Sequence, residues 1–178
     1  MNTILLIVLA VPHPLAPRNI MRIRLGCIVA VAALTFVPSM VEAQSTIGPT
    51  LAYHDDADLG LGVTLRAPLS GFGDGVGIMG DFLLFFPDAA DVDYLEFNGN
   101  VTYDFPLEDS AILPFVLAGL NISRSSTPGG SNTDLGLNLG GGLEFDLGRF
   151  RPVAGGRIEL GGGEAFVLFL TLPFQLGS

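Results

Sequence analysis

LNLGGGLEFDLGRFRPVAGGRIELGGG, residues Leu137 to Gly163, decides how the whole chain is read. Leu137, Leu139, Leu143 and Phe145 alternate with Asn138, Gly140, Gly142 and Glu144 before a Leu-Gly turn leads into a second extended piece. A period of two marks a strand with two different faces. Glycine weakens a strand interior, because it has no side chain to pack and loses the most backbone freedom on ordering. Glycines repeated on one face therefore need a cause. A narrow closed barrel supplies one, since side chains pointing at its axis crowd one another and small residues become an advantage there.

The pattern extends outward from this stretch in both directions. Eight extended segments are expected, at about 47–54, 58–68, 76–86, 94–105, 111–123, 133–146, 149–160 and 164–175. In the fourth, Leu95, Phe97, Val101, Tyr103 and Phe105 share one face and Glu96, Asn98, Asn100, Thr102 and Asp104 the other. In the second, Leu59, Leu61, Val63 and Leu65 oppose Gly60, Gly62, Thr64 and Arg66.

With 49% hydrophobic and 15% charged residues, the chain is too apolar to remain disordered. Beyond residue 43, Gly, Asp and Asn interrupt every apolar run well before the ~18 residues that a spanning helix needs. Any membrane contact in that region falls to strands. A soluble sandwich would put the apolar face inside and a solvated polar face outside, but the face opposite the leucines is too rich in glycine for that. The apolar face is therefore expected to meet lipid and the polar, glycyl face to line a lumen. The fold class that follows is all-β: an eight-stranded antiparallel up-and-down transmembrane β-barrel over residues 44–178.

Ahead of it, MRIRLGCIVAVAALTFVPSMVEA has the makings of a secretory signal peptide over 21–43, with Arg22 and Arg24 before an apolar stretch and Val41 and Ala43 before the expected cleavage. Residues 1–20 read as an upstream extension. Cys27 is the only cysteine, so 44–178 can form neither a disulfide frame nor a thiolate metal site. Setting aside Arg18, Arg22, Arg24 and Glu42 leaves five arginines against seventeen carboxylates, with no lysine. That balance excludes a nucleic-acid partner, which requires a basic stripe.

With the N-terminus on the periplasmic side, HDDAD (54–58), PDAADVD (87–93), RSSTPGGSNTD (124–134) and the glycines 161–163 form the outer connections. Prolines 49, 68, 106, 114, 152 and 173 gather at the inner rim, where a missing N–H costs the ladder least. Two aromatic girdles are expected: Phe72, Tyr103, Phe105, Phe115, Phe145, Phe150 and Phe174 toward the inner rim, and Tyr53, Phe86, Tyr94, Phe97 and Phe166 toward the outer.

The strand pattern, and especially GLNLGGGLEFDLGRFRPVAGGRIEL at 136–160, resembles the small eight-stranded outer-membrane barrels of the OmpA/OmpX type, often grouped as a porin family. Two departures stand out. Tryptophan is absent, and four residues follow Phe174 where these barrels commonly end on an aromatic residue. The resemblance implies the outer membrane of a Gram-negative-type cell, with its lipid and lipopolysaccharide and the outer-membrane assembly machinery as partners. It also implies a monomer with a structural or porin-like role.

Within the lumen, Arg66 and Arg157 are the expected cations, with Asp81, Glu96, Asp104, Glu144 and Glu159 as partners. A charge shielded from water costs several kcal/mol when left alone, so these residues are expected to form an ion-pair network that fills the interior. Leu83, Phe85, Val167 and Phe169 belong to segments apolar on both faces and should plug the outer half of the lumen. The alternative is that they line a small pocket for an acyl chain or other hydrophobic ligand. Asp55, Asp56, Asp58, Asp88, Asp91, Asp93, Asp134, Glu159 and Glu164 make an acidic outer rim, read as solvated. The spacing of Asp88, Asp91 and Asp93 lacks the EF-hand pattern, and no metal site or cofactor is expected.

No catalytic set emerges. Barrels that deacylate lipid A carry a His-x-Ser arrangement, whereas His54 is followed by Asp55 and Asp56. The chain is therefore read as a non-enzyme. A surface adhesin using 124–134 is the other alternative, disfavoured because short loops do not readily assemble ~800 Å² per partner.

Overall fold

The computed structural model describes residues 45–69, 71–88, 91–148, 150–161 and 163–176. The expected upstream extension (1–20) and signal peptide (21–43) lie outside the described residues.

Nine strands follow in chain order: β1 (Thr46–His54), β2 (Asp58–Pro68), β3 (Val76–Phe85), β4 (Asp93–Asp104), β5 (Ile112–Thr127), β6 (Gly130–Phe145), β7 (Val153–Leu160), β8 (Glu164–Thr171) and β9 (Phe174–Gln175). Each strand from β1 to β7 pairs antiparallel with the next, and β1 closes the sheet by pairing with both β2 and β8. The two-residue β9 is the end of the eighth stave. It pairs with Thr46 and Ile47 of β1, and Pro173, which has no N–H to give the ladder, separates it from β8. The barrel thus has eight staves and no open sheet edge, which removes the unpaired backbone groups that hydrocarbon would not tolerate.

The two faces separate as the alternation requires. Leu137 and Leu139 are 55% and 53% exposed, while Asn138 between them is 1% exposed. Inward glycines sit opposite the largest inward side chains. In register, Gly60 faces Phe85, Gly62 faces Leu83, and Gly155 faces Phe169. A Cβ on Gly60 would lie 2.5 Å from Phe85 Cδ1, and one on Gly155 2.5 Å from Phe169 Cζ. Neither carbon fits, so each glycine leaves the space its neighbour's ring occupies.

Three features depart from the sequence-based expectation. Residues 124–134, expected as a loop, are hairpin: β5 runs to Thr127, β6 starts at Gly130, and Pro128–Gly129 make a two-residue turn. The Ser/Thr/Asn composition reads as loop, but hydroxyl residues also satisfy a two-sided polar ladder. Arg124 Nη2 donates across it to Ser131 Oγ at 2.9 Å. Strand β7 begins at Val153 and not near 149, because Pro152 cannot donate; its carbonyl instead accepts from Phe145 N at 2.9 Å, closing a wider turn.

The aromatic girdles also need correction. Phe115 is 3% exposed and belongs to the interior, and Tyr94 packs against the same buried cluster. Both share parity with inward neighbours, Tyr94 with Glu96 and Phe115 with Leu117, so they cannot lie on the outer face.

Candidate functional site

The interior of the barrel is built in layers by strands that each contribute alternate residues. Toward the β1 N-terminal rim, Arg66 from β2 pairs with Asp104 of β4 and, at 2.6 Å, with Glu144 of β6. Its guanidinium also lies 4.5 Å from the centroid of the Phe115 ring, a cation–π contact in a partly desolvated place. Arg151 reaches the other Glu144 oxygen at 3.1 Å.

Above this layer three hydroxyls meet at the barrel seam. Thr50 Oγ1 lies 2.6 Å from Thr64 Oγ1 and 2.9 Å from Thr171 Oγ1, joining β1, β2 and β8. Across the lumen, Asn138 Nδ2 donates to Asn98 Oδ1 and Asn100 Oδ1, both at 2.9 Å, and Asn98 Nδ2 donates to Asp81 Oδ1 at 2.8 Å. Buried amides cost free energy unless bonded, and here they chain the middle of the barrel to the ionic layer above.

That upper layer centres on Arg157, 1% exposed. Its Nη1 is 3.2 Å from Asp81 Oδ1, its Nη2 3.1 Å from Glu96 Oε2 and its Nε 2.7 Å from Glu159 Oε1. Glu159 Oε2 in turn accepts from Asn121 Nδ2 at 2.5 Å. One guanidinium therefore bonds carboxylates from β3, β4 and β7, using the forked geometry that lysine lacks.

All seven ionic residues expected from the sequence to line the interior thus lie in or at the lumen, divided into two clusters, one around Arg66 and one around Arg157. Glu159, which the sequence allows both in the lumen and on the acidic rim, is inside, 5% exposed. Leu83, Phe85, Val167 and Phe169 are 0%, 3%, 0% and 5% exposed and form one apolar cluster with Ala52, Met79 and Phe115 among others.

His54, expected in an outer connection, instead closes β1 and turns inward, 2% exposed, because it shares parity with Thr50 and Ala52. Phe85 and Tyr94 flank its ring edge-on, with centroids 5.3 and 5.4 Å away. Asp56 N donates to its Nδ1 at 3.0 Å. Its Nε2 lies 3.4 Å from Glu96 Oε1, and neither of these two atoms has a hydrogen-bond partner among the described residues. Alternation is enough to reveal the inward face of His54, but not its meeting with Glu96.

No protein-family model matches the sequence, and no curated protein does. Solved structures do. The N-terminal β-barrel domain of Pseudomonas aeruginosa OprF aligns over 76% of this chain and 98% of its own, with a TM-score of 0.61 at 15% identity. Neisserial surface protein A aligns over 74% and 96%, with a TM-score of 0.55 at 18% identity. Ail, the attachment invasion locus protein of Yersinia pestis, aligns over 75% and 97%, with a TM-score of 0.52 at 19% identity. At this level of identity the shared property is architecture: this chain has the fold of the small eight-stranded outer-membrane β-barrels.

Proposed function

We propose that the chain is an outer-membrane barrel with a structural role in a Gram-negative-type envelope, neither an enzyme nor an open pore. The observation that carries this reading is the inversion of the usual burial pattern. Leucines at 53–56% exposure ring the outside, while Arg157, Glu96 and Asn138 at 0–1% fill the inside. Water would penalise that arrangement and hydrocarbon favours it. Outer-membrane lipid and lipopolysaccharide then surround a monomer delivered by the assembly machinery. The two ionic clusters, the amide chain and the apolar cluster around Leu83 and Val167 support a lumen filled by side chains, as an eight-stranded barrel permits.

Two measurements test this. The chain, purified from membranes in detergent, is expected to change its gel migration on boiling and to give no stepwise conductance in planar bilayers. Unchanged migration contradicts the membrane barrel, and large steps contradict the filled lumen. Leu139→Arg adds a quantitative check. On a lipid-facing midplane position an arginine costs about 2–4 kcal/mol, whereas on a water-facing strand it would cost close to nothing. Urea unfolding in lipid vesicles, compared with wild type, separates the two.

A second reading is favoured by one feature, the β5–β6 hairpin. The β6–β7 ladder stops at Leu137–Leu160, so Gly130–Gly136 project past β7, paired to β5 alone. This is a preformed surface for a binding role outside the cell, such as the attachment for which Ail is named. Replacing residues 124–133 by a short turn is expected to leave folding intact. It would abolish cell attachment only if the hairpin carries it.

A further inference from the structure

Going beyond that structural role, we infer that His54, Glu96 and Glu159 form a binding site for a first-row divalent cation, of which Zn²⁺ is the representative case, in the outer half of the lumen. One imidazole nitrogen and one carboxylate oxygen from each glutamate lie within 4.8 Å of one another, and all three residues are buried. The residues come from the end of β1, the start of β4 and the end of β7, so the closed barrel alone brings them together.

Charge supplies the first argument. Asp81, Glu96 and Glu159 share the single guanidinium of Arg157 in a place with 0–5% exposure. Three negative charges against one positive leave an excess of two, and buried charge must be compensated. Either protons held by the carboxylates or a divalent cation neutralises the set, and the geometry of His54 and Glu96 favours the cation.

Unused valence supplies the second, independent argument. Arg157 and Asn98 engage Glu96 through Oε2, leaving Oε1 with no hydrogen-bond partner among the described residues at 0% exposure. His54 Nε2, likewise without one, lies 3.4 Å from it. Two ligands each ~2.0–2.1 Å from a tetrahedral Zn²⁺ are about 3.3 Å apart. The separation is already that of two ligands to one ion, and Glu159 completes three by exchanging one of its bonds, to Arg157 Nε at 2.7 Å or to Asn121 Nδ2 at 2.5 Å, for the ion. A nitrogen with two carboxylate oxygens suits zinc, cobalt or manganese better than calcium or magnesium, which prefer oxygen alone.

The surroundings fit a cation. Asp55, Asp56 and Asp58 stand at the adjoining turn and raise the local cation concentration. The Asp56 N–H bond to Nδ1 sets the ion-free tautomer, with the imidazole proton on Nε2. Loading moves that proton to Nδ1, which requires the Asp56 N–H bond to be given up and the ring to turn toward Asp55 Oδ1, 3.6 Å away in the ion-free barrel. A carboxylate behind a ligating histidine is the usual support of such a site.

The test uses the chain expressed with its own leader, purified from membranes in detergent, stripped with chelator and titrated with Co²⁺. Visible d–d bands at one Co²⁺ per chain, displaced by Zn²⁺, are expected. Affinity should fall at least tenfold in His54→Gln and in Glu96→Gln and remain unchanged in Asp88→Asn. Absence of bands in the wild type, or wild-type affinity in either Gln variant, overturns the site. Should both Gln variants lose the folded gel mobility, the wild-type imidazole decides: a Zn²⁺-induced shift of the His54 ¹⁵N resonances supports the site and unchanged resonances overturn it.

Discussion

Arg157→Met is expected to destabilise the barrel by at least about 3 kcal/mol, the largest effect of any single charge removal among the described residues. The substitution keeps most of the volume and removes the cation that bonds Asp81, Glu96 and Glu159. Breaking a buried ion pair from one side costs about 3–5 kcal/mol, because the partner is left charged and unsolvated. Here three partners are left. Arg66→Met is the internal comparison. Its side chain is 11% exposed, Asp104 is 26% exposed, and Arg151 remains 3.1 Å from Glu144, so water and a second arginine take over part of its work. Its cost should be less than half as large. Urea unfolding in lipid vesicles with chelator present, read by gel migration, measures both. Glu96→Gln added to Arg157→Met should recover part of the loss. Stability of Arg157→Met within about 0.5 kcal/mol of wild type would mean that the carboxylates are solvated and that side chains do not fill the lumen.

Gly140→Leu is the second large effect, and it is expected to prevent folding into the barrel form altogether. Gly140 points inward and pairs with Arg157 of β7. A Cβ there would fall on the Gly156 carbonyl oxygen and on Arg157 Cα and Cβ. Backbone held in a ladder cannot retreat, so the strain should exceed the ~1–3 kcal/mol typical of overpacking. Gly99→Leu is the matched control. It lies in β4 on the lipid side, and a Cβ there meets nothing within 4 Å. The control should fold with wild-type yield, since a leucine facing hydrocarbon adds apolar surface where it is favoured. Equal refolding yields for the two variants would refute the assignment of inward and outward faces.

The contrast between Gly140 and Gly99 also marks how much is legible in the residue order. Parity along each strand is a local property, and it is enough to give inward Asn138, Arg157 and Glu96, outward Leu137 and Leu139, and the class of fold. It extends to Tyr94, Phe115 and His54 as well. Residue type competes with it there: Tyr94 and Phe115 have the chemistry of girdle aromatics, and the aspartates after His54 have that of a turn. The hairpin at 124–134 departs from expectation for a related reason. Hydroxyl and amide residues serve loops and two-sided polar ladders equally well, and only the pairing of Thr127 with Gly130 distinguishes them.

The amino-acid order by itself determined the alternation, hence which side of every stave faces outward, and it required small residues where the lumen is narrow. It could not determine height. Arg157 meets Asp81 and Glu96 across 76 and 61 residues, and Thr50 meets Thr171 across 121. Which inward side chains share a level depends on the register of every ladder between them and on how β1 closes against β8. Those are sums around the whole barrel, so only the tertiary structure could place His54, Glu96 and Glu159 at one point.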